Sequence, residues 1–333
     1  MKTYSYRDAP LRVFGVLDLD KKDGFCRLNP PLLEALPNLS FLGRRCPGAR
    51  LCFRTDSKKF TVHMQLESMS PDLGIGIFGC QSGAVFIGQR STSNFVGVVH
   101  PKNYEELSFS RTFTKRGEME EITIFLPRNE VLVDIRIEVE DGARVEAPTP
   151  YRYGPVVFYG SSITEGGCGA GFNSYEALLS RWLDMDFYNL GFSGNARGEQ
   201  VMADFIAGIP DMRVFVLDYD HNAPTVAHLE ETHEPFFKTI RAAHPHLPIL
   251  MMTRPRAVYT EDDKKRREVV RRTYENAVAA GDRLVRFIDG ETFFGTEDRT
   301  LCTVDNIHPN DLGFYRMATV IRPVMEELLA LSE

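Results

Sequence analysis

The sequence predicts two architectures in tandem: an all-β domain over residues 1–147 and an α/β domain with a five-stranded parallel sheet over residues 148–333. Three observations predict it. Short alternating or β-rich runs, separated by Gly, Pro, Asn and Ser clusters, recur before residue 150, the pattern of a β-sandwich or jelly roll. Glu146-Ala147-Pro148-Thr149-Pro150 reads as an extended connector, since each proline disfavours helix in the residue before it. Beyond it, near-continuous apolar strands alternate with helical periodicity, which implies a parallel sheet covered on both faces.

The β-rich runs are Arg50 to Thr55, Lys59 to Leu66, Gly74 to Gly79, Glu121 to Leu126 and Val131 to Val139. This domain could shape the active site, bind sugar or mediate self-association; an architectural role is expected foremost, with Phe78 and Tyr104 as residues that could face a ligand. In the second half, strands are expected at Val156 to Tyr159, Phe187 to Leu190, Val214 to Leu217, Ile249 to Met252 and Leu284 to Ile288. Tyr175, Leu178, Leu179 and Trp182 fall at i, i+3, i+4 and i+7 of a helix, behind an Asn173 to Glu176 pairing similar to a capping box. Phe236, Phe237 and Ile240 mark a second helix, and Val270, Tyr274 and Ala277 a third. Ligands collect at the carboxyl ends of parallel strands. Ser162, the Gly191 to Asn195 loop and the Asp218 to Asn222 segment each follow such a strand.

Composition narrows the function classes. With 43% hydrophobic and 26% charged residues in 333, the chain is ordinary globular material. A net charge of -7 gives no electrostatic footprint for nucleic acid or an anionic membrane surface. The start, Met1 to Asp8, has no apolar signal-like run, and no later run approaches the length of a membrane span, so a cytoplasmic location is expected. Cys26, Cys46, Cys52, Cys80, Cys168 and Cys302 show no CxxC pair and no zinc spacing, and are read as small buried hydrophobes. Cys168, although close to Ser162 in sequence, has no neighbour placed to lower its pKa.

Reaction chemistry concentrates in two places. Val156 to Gly166 is a buried strand running into a small-residue turn with two serines, Ser161 and Ser162, and Asp305-Asn306-Ile307-His308-Pro309 supplies a base for one of them. A serine hydroxyl is a weak nucleophile until a general base activates it and a third group orients that base. Asp and His three residues apart can meet across one turn, so a single segment delivers both. His221, His228 and His233 are spaced unlike a metal-binding helix and read as incidental residues of a solvated helix. Lys264-Lys265-Arg266-Arg267 with Arg271-Arg272 reads as the polar face of a helix.

Four blocks in order resemble the SGNH (GDSL-like) hydrolases: Gly160-Ser161-Ser162-Ile163-Thr164, Asn189-Leu190-Gly191-Phe192-Ser193-Gly194-Asn195, Asn222, and Asp305-Asn306-Ile307-His308. The resemblance runs from residue 155 to the end. It implies a flavodoxin-like three-layer α/β/α domain, with Ser162 as nucleophile, His308 as general base and Asp305 as the residue orienting it. It also implies an oxyanion hole from the backbone N–H groups of Ser162 and Gly194 and the side-chain amide of Asn222, with no cofactor and no metal. Two departures stand out: Ser161 occupies the place of the family's aspartate, and Asp220-His221-Asn222-Ala223 replaces Gly-x-Asn-Asp. Ser162 is preferred over Ser161 because it aligns with the family nucleophile and sits nearer a helix N-terminus.

The two-part layout is similar to bacterial carbohydrate esterases in which a jelly roll precedes the catalytic half, which implies deacetylation of sugars. The absent leader and single Trp182 argue against a large polysaccharide. No amphipathic lid argues for lipase action. The expected substrate is therefore a small ester, an O-acetylated carbohydrate or glycoside. The alternatives are short-chain acyl esters without sugar, or a catalytically silent sugar-binding protein. Self-association into a homo-oligomer is left open.

Overall fold

The computed structural model describes residues 1–17 and 25–332. Among the described residues, ten strands lie before Ala147: β1 Lys2–Ser5, β2 Arg12–Phe14, β3 Arg50–Thr55, β4 Lys59–Leu66, β5 Gly83–Ile87, β6 Asn94–Val99, β7 Ser108–Thr114, β8 Glu120–Phe125, β9 Leu132–Val139 and β10 Val145–Glu146. They form two antiparallel sheets, one ordered β1-β9-β4-β7 and the other β10-β3-β8-β5-β6, with β2 paired to β3. Alternation explains the pairing of faces. In β4, Phe60, Val62, Met64 and Leu66 are buried while Lys59, Thr61, His63 and Gln65 turn outward. Those apolar residues join Leu51, Phe53, Val85, Ile122 and Ile124 of the other sheet in one core.

The second half holds the parallel sheet, with β11 Tyr153–Gly160, β12 Met185–Gly191, β13 Val214–Asp218, β14 Ile249–Met252 and β15 Val285–Ile288 in the order β12-β11-β13-β14-β15. The α/β expectation and its five strands stand, Ile249–Met252 unchanged and the other strands with boundaries moved by at most three residues. Every strand face is covered. Val157, Tyr159, Phe215 and Leu217 pack under helices Gln200–Ala207, Val226–Ala243 and Glu261–Ala279, whereas Val156, Phe158, Val214 and Val216 pack under Tyr175–Leu183 and Asp311–Leu331. Helix Pro30–Ala35 and the segments flanking it place Leu28, Leu32, Leu36 and Leu39 in the first of these layers, so residues from the N-terminal half complete the core of the parallel sheet. Among the described residues, no helix is long and apolar enough to cross a membrane.

Three local expectations are corrected. Gly74 to Gly79 forms no strand: a Cβ on Gly79 would lie 2.2 Å from Ile75 Cδ1, so the glycines let the chain fold back into the short helix Ile77–Cys80. The helix cap is Ser174, whose hydroxyl accepts from Ala177 N–H at 3.4 Å, while the Asn173 side chain donates to Asp311 at 3.3 Å. The histidines do not share a solvated helix. His233 is buried and hydrogen-bonded to Thr273 Oγ1 at 2.9 Å, and His221 lies in the turn before the helix.

Candidate active site

Strand β11 ends at Gly160, and the chain turns at once into helix Ser162–Glu165. Ser161 caps this helix: it is 1% exposed, and its hydroxyl accepts from Ile163 N–H at 3.2 Å. Ser162, the first helical residue, points the other way, its Oγ 2.8 Å from His308 Nε2. The two adjacent serines therefore have separate jobs, one within the fold and one in the cleft.

His308 and Asp305 come from the loop before helix Asp311–Leu331. The expected turn is not helical. Asp305 Oδ1 accepts from the N–H groups of Ile307, at 3.0 Å, and His308, at 2.7 Å, while Oδ2 lies 2.7 Å from His308 Nδ1. One carboxylate thus shapes the loop and orients the ring. Asn306 adopts φ +69° and ties the loop to Val258, accepting from its N–H at 2.9 Å. With Nδ1–H donating to Asp305, Nε2 is left with a lone pair facing the Ser162 hydroxyl. Burial works to raise the Asp305 carboxyl, but the His308 and Ile307 hydrogen bonds outweigh it and hold it below the ordinary carboxylate range.

Gly194 and Asn222 line the same cleft as Ser162. Gly194 has φ +71°, the left-handed region that glycine enters without penalty. A side chain is also excluded at Gly191, where a Cβ would lie 2.2 Å from Glu165 N. Asn222 Oδ1 accepts from Ala196 N–H at 3.4 Å, and its amide nitrogen has no partner among the described residues. The backbone N–H groups of Ser162 and Gly194 likewise meet no acceptor among the described residues. The turn carrying Asn222 is held from behind, where Arg254 and Arg266 donate to Asp220 O at 2.8 and 3.0 Å and Arg266 donates to Ala223 O at 2.7 Å. Arg266, expected on a polar helix face, is buried for this purpose. Burial, reinforced by Arg254, Arg256 and His308, pushes the neighbouring His221 well below the ordinary histidine range, so it is neutral.

The cleft is about 950 Å³. One wall comes from the N-terminal half, through residues without a local signature in the sequence: Arg45, Ser70 to Gly74, Arg128 and Asn129 face Ser162 and His308. Asn129 donates to Asp72, and Arg128 donates to Gly167 O at 2.8 Å, tying the wall to the loop after the serine helix. Phe78 and Tyr104 are not in the lining; Phe78 instead packs against His100, the rings tilted by 51° with centroids 4.2 Å apart. Cys168 lines the cleft, its thiol pushed up by burial and then by Asp305 and Asp72, so it is no competing nucleophile at neutral pH.

A parallel sheet with a serine, a histidine and a carboxylate in hydrogen-bonded series at its carboxyl edge is the arrangement of a serine hydrolase, and the family match makes the class a carboxylic ester hydrolase of the SGNH superfamily. Residues 153–326, just over half of the chain, match the GDSL-like lipase/acylhydrolase family, to which this protein belongs. No curated protein sequence matches it. Among solved structures, it is similar to a protein from Bacteroides ovatus assigned as a GDSL-like lipase, with 25% identity, 99% of this chain and 98% of that chain covered, and a TM-score of 0.86. The salicylyl-acyltransferase SsfX3 from a tetracycline biosynthetic pathway shares 21% identity over 98% of this chain and 97% of its own, with a TM-score of 0.80. A family two carbohydrate esterase from Clostridium thermocellum shares 14% over 96% and 99%, with a TM-score of 0.68. At those identities the last two bear on the fold alone.

Proposed function

We propose that the protein is a serine esterase that removes short acyl groups, acetyl foremost, from a small O-acylated carbohydrate or glycoside. The observation that carries this is the continuous series Ser162 Oγ, His308 Nε2, His308 Nδ1, Asp305 Oδ2 opening into a cleft. Ser162 Oγ attacks the ester carbonyl as its proton passes to His308 Nε2. That proton then goes to the departing alcohol oxygen, which leaves an acyl-enzyme, and water repeats the sequence in reverse. The carbonyl oxygen, negative in the transition state, is received by the N–H groups of Ser162 and Gly194 and the Asn222 amide. The polar wall of Asp72, Arg128 and Asn129 supports a hydroxyl-rich leaving group. Likeness in fold to carbohydrate esterases supports the same reading.

The accompanying organisation is proposed on the same basis. Residues 1–147 form a β-sandwich or jelly-roll unit whose two sheets share a core, and 148–333 form a flavodoxin-like three-layer α/β/α unit. The protein acts in the cytoplasm on a small-molecule ester, without nucleic acid or membrane as partner. The test is turnover of p-nitrophenyl acetate, longer p-nitrophenyl esters and O-acetylated sugars by the wild type and Ser162→Ala. Acetyl esters turned over by the wild type alone are the expected result. Preference for long acyl chains overturns the substrate, and full activity in Ser162→Ala overturns the mechanism.

A further inference from the structure

Glu165 closes the helix that begins at Ser162, yet it turns inward and is 3% exposed. Its Oε2 accepts from Ser193 N–H at 2.8 Å and also from the Ser193 hydroxyl. Its Oε1 lies 3.6 Å from Arg27 Nη2 and 3.6 Å from Arg45 Nη1, beyond hydrogen-bond length. A carboxylate serving only as counter-ion would take the bidentate geometry that guanidinium offers. Here the close contacts go to the loop, and the two arginines hold the carboxylate by charge.

Arg27 reinforces the same loop. It is 1% exposed and donates from Nη1 to Asn189 O at 2.9 Å and Gly191 O at 2.7 Å. From Nε and Nη2 it donates to Arg45 O at 2.9 Å and Leu42 O at 2.7 Å, and its guanidinium lies 4.6 Å over the Phe192 ring. Asn189 adds two bonds, accepting from Gly191 N–H at 2.9 Å and donating to Thr164 O at 2.6 Å. Residues 189, 191, 192 and 193 are therefore each held by a buried group, and Gly194 follows immediately. A hydrogen-bond donor aimed at developing charge is effective only if it is already in place and need not reorganise.

We propose that Glu165, clamped by Arg27 and Arg45, is a positioning residue that fixes Ser193 and so aims the Gly194 N–H at the reacting carbonyl oxygen. The inference rests on the esterase mechanism proposed above. It makes the N-terminal chain, through Arg27 and Arg45, part of transition-state stabilisation. Burial, opposed by Glu165, pushes the Arg27 guanidinium down to about 10, so it is cationic at neutral pH and needs that partner.

The experiment compares the wild type, Ser162→Ala, Glu165→Gln, Glu165→Ala and Ser193→Ala on p-nitrophenyl acetate. Active sites are counted by fluorophosphonate labelling, and inhibition by an alkyl boronic acid is measured alongside. Since losing one oxyanion donor costs about 10²–10³ in turnover, mispositioning it in Glu165→Ala should lower kcat per labelled site about 10²-fold. Glu165→Gln, which loses the charge facing Arg27 and Arg45, and Ser193→Ala, which loses the hydroxyl bond, should each lose about tenfold, with KM within about threefold and boronic-acid affinity falling in step with kcat/KM. If Glu165→Ala does not fold, the other two variants carry the test. A purely structural Glu165 lowers melting temperature but leaves kcat per labelled site unchanged in Glu165→Gln and Ser193→Ala, and that result overturns the proposal. Inactive Ser162→Ala beside such variants removes this inference alone; active Ser162→Ala removes the esterase mechanism and this inference with it.

Discussion

Asp305→Asn gives the sharpest test of how the histidine is held. Asp305 makes one bond to His308 Nδ1, at 2.7 Å, and accepts two backbone N–H groups on its other oxygen, at 2.7 and 3.0 Å. Asparagine has one acceptor oxygen for these two tasks. If that oxygen stays in the turn, the NH2 faces Nδ1 and drives the ring proton onto Nε2, where Ser162 needs a lone pair. If the amide flips, the ring keeps its tautomer but both backbone donors lose their partner, at about 1–1.5 kcal/mol each. Losing the charge that faces the imidazolium adds about 1–2 kcal/mol at this half-exposed site. The cheaper route therefore costs about 4 kcal/mol, or about 10³ in kcat, less than the roughly 10⁴ of a fully buried serine-protease carboxylate. Turnover of p-nitrophenyl acetate per active site measures it, with KM little changed because Asp305 acts through the ring. A variant within tenfold of the wild type would refute the claim that Asp305 sets the tautomer.

Ser161→Ala should turn over ester within about threefold of the wild type while losing about 1 kcal/mol of stability through its lost cap, measured by urea unfolding; abolished turnover in a folded protein would move the nucleophile to Ser161. Burial, partly opposed by Glu234, pushes His233 down to about 3. The unfolded chain binds a proton at this position below about pH 6.5 and the folded chain does not, so stability is full above that pH and falls as pH drops toward 3. The slope is about 1.4 kcal/mol per pH unit, or about 2 kcal/mol lost by pH 5. His233→Gln should flatten the curve by that slope in denaturant titrations at pH 7, 6 and 5, and an unchanged slope refutes the assignment.

What could be read from the sequence was what is local. Ser162, Asp305 and His308 carry their neighbours with them, and apolar runs such as Val214 to Leu217 have one physical meaning in a chain of this length. His233 was legible in principle: it sits four residues from both Leu229 and Phe237 on the buried stripe of its helix, a periodicity that outranks its polarity. Gly74 to Gly79 misled for the opposite reason, since alternation with glycine supplies no packing face and permits a fold-back instead. Asp72, Arg128 and Asn129 had no local signature. They reach the cleft because the N-terminal sheets are brought against the loop after Ser162, as in the Arg128 bond to Gly167, a contact 39 positions apart.

The division of labour along the chain follows from that geometry. The region matching the family, residues 153–326, holds Ser162, His308, Asp305, Gly194 and Asn222. Arg45, Asp72, Arg128 and Asn129 lie outside it and form the facing wall of the cleft. On the proposed mechanism, the acyl carbon must sit against Ser162 within the matched region, so the leaving alcohol is the part that meets the unmatched wall. Choice of alcohol and acyl chemistry are thus carried by different parts of one chain. The Arg27 and Glu165 contacts join the parts: the segment from Arg27 to Arg45 grips the loop that carries Gly194. A change in the N-terminal half can therefore alter turnover as well as selectivity, and kcat measured beside KM distinguishes the two.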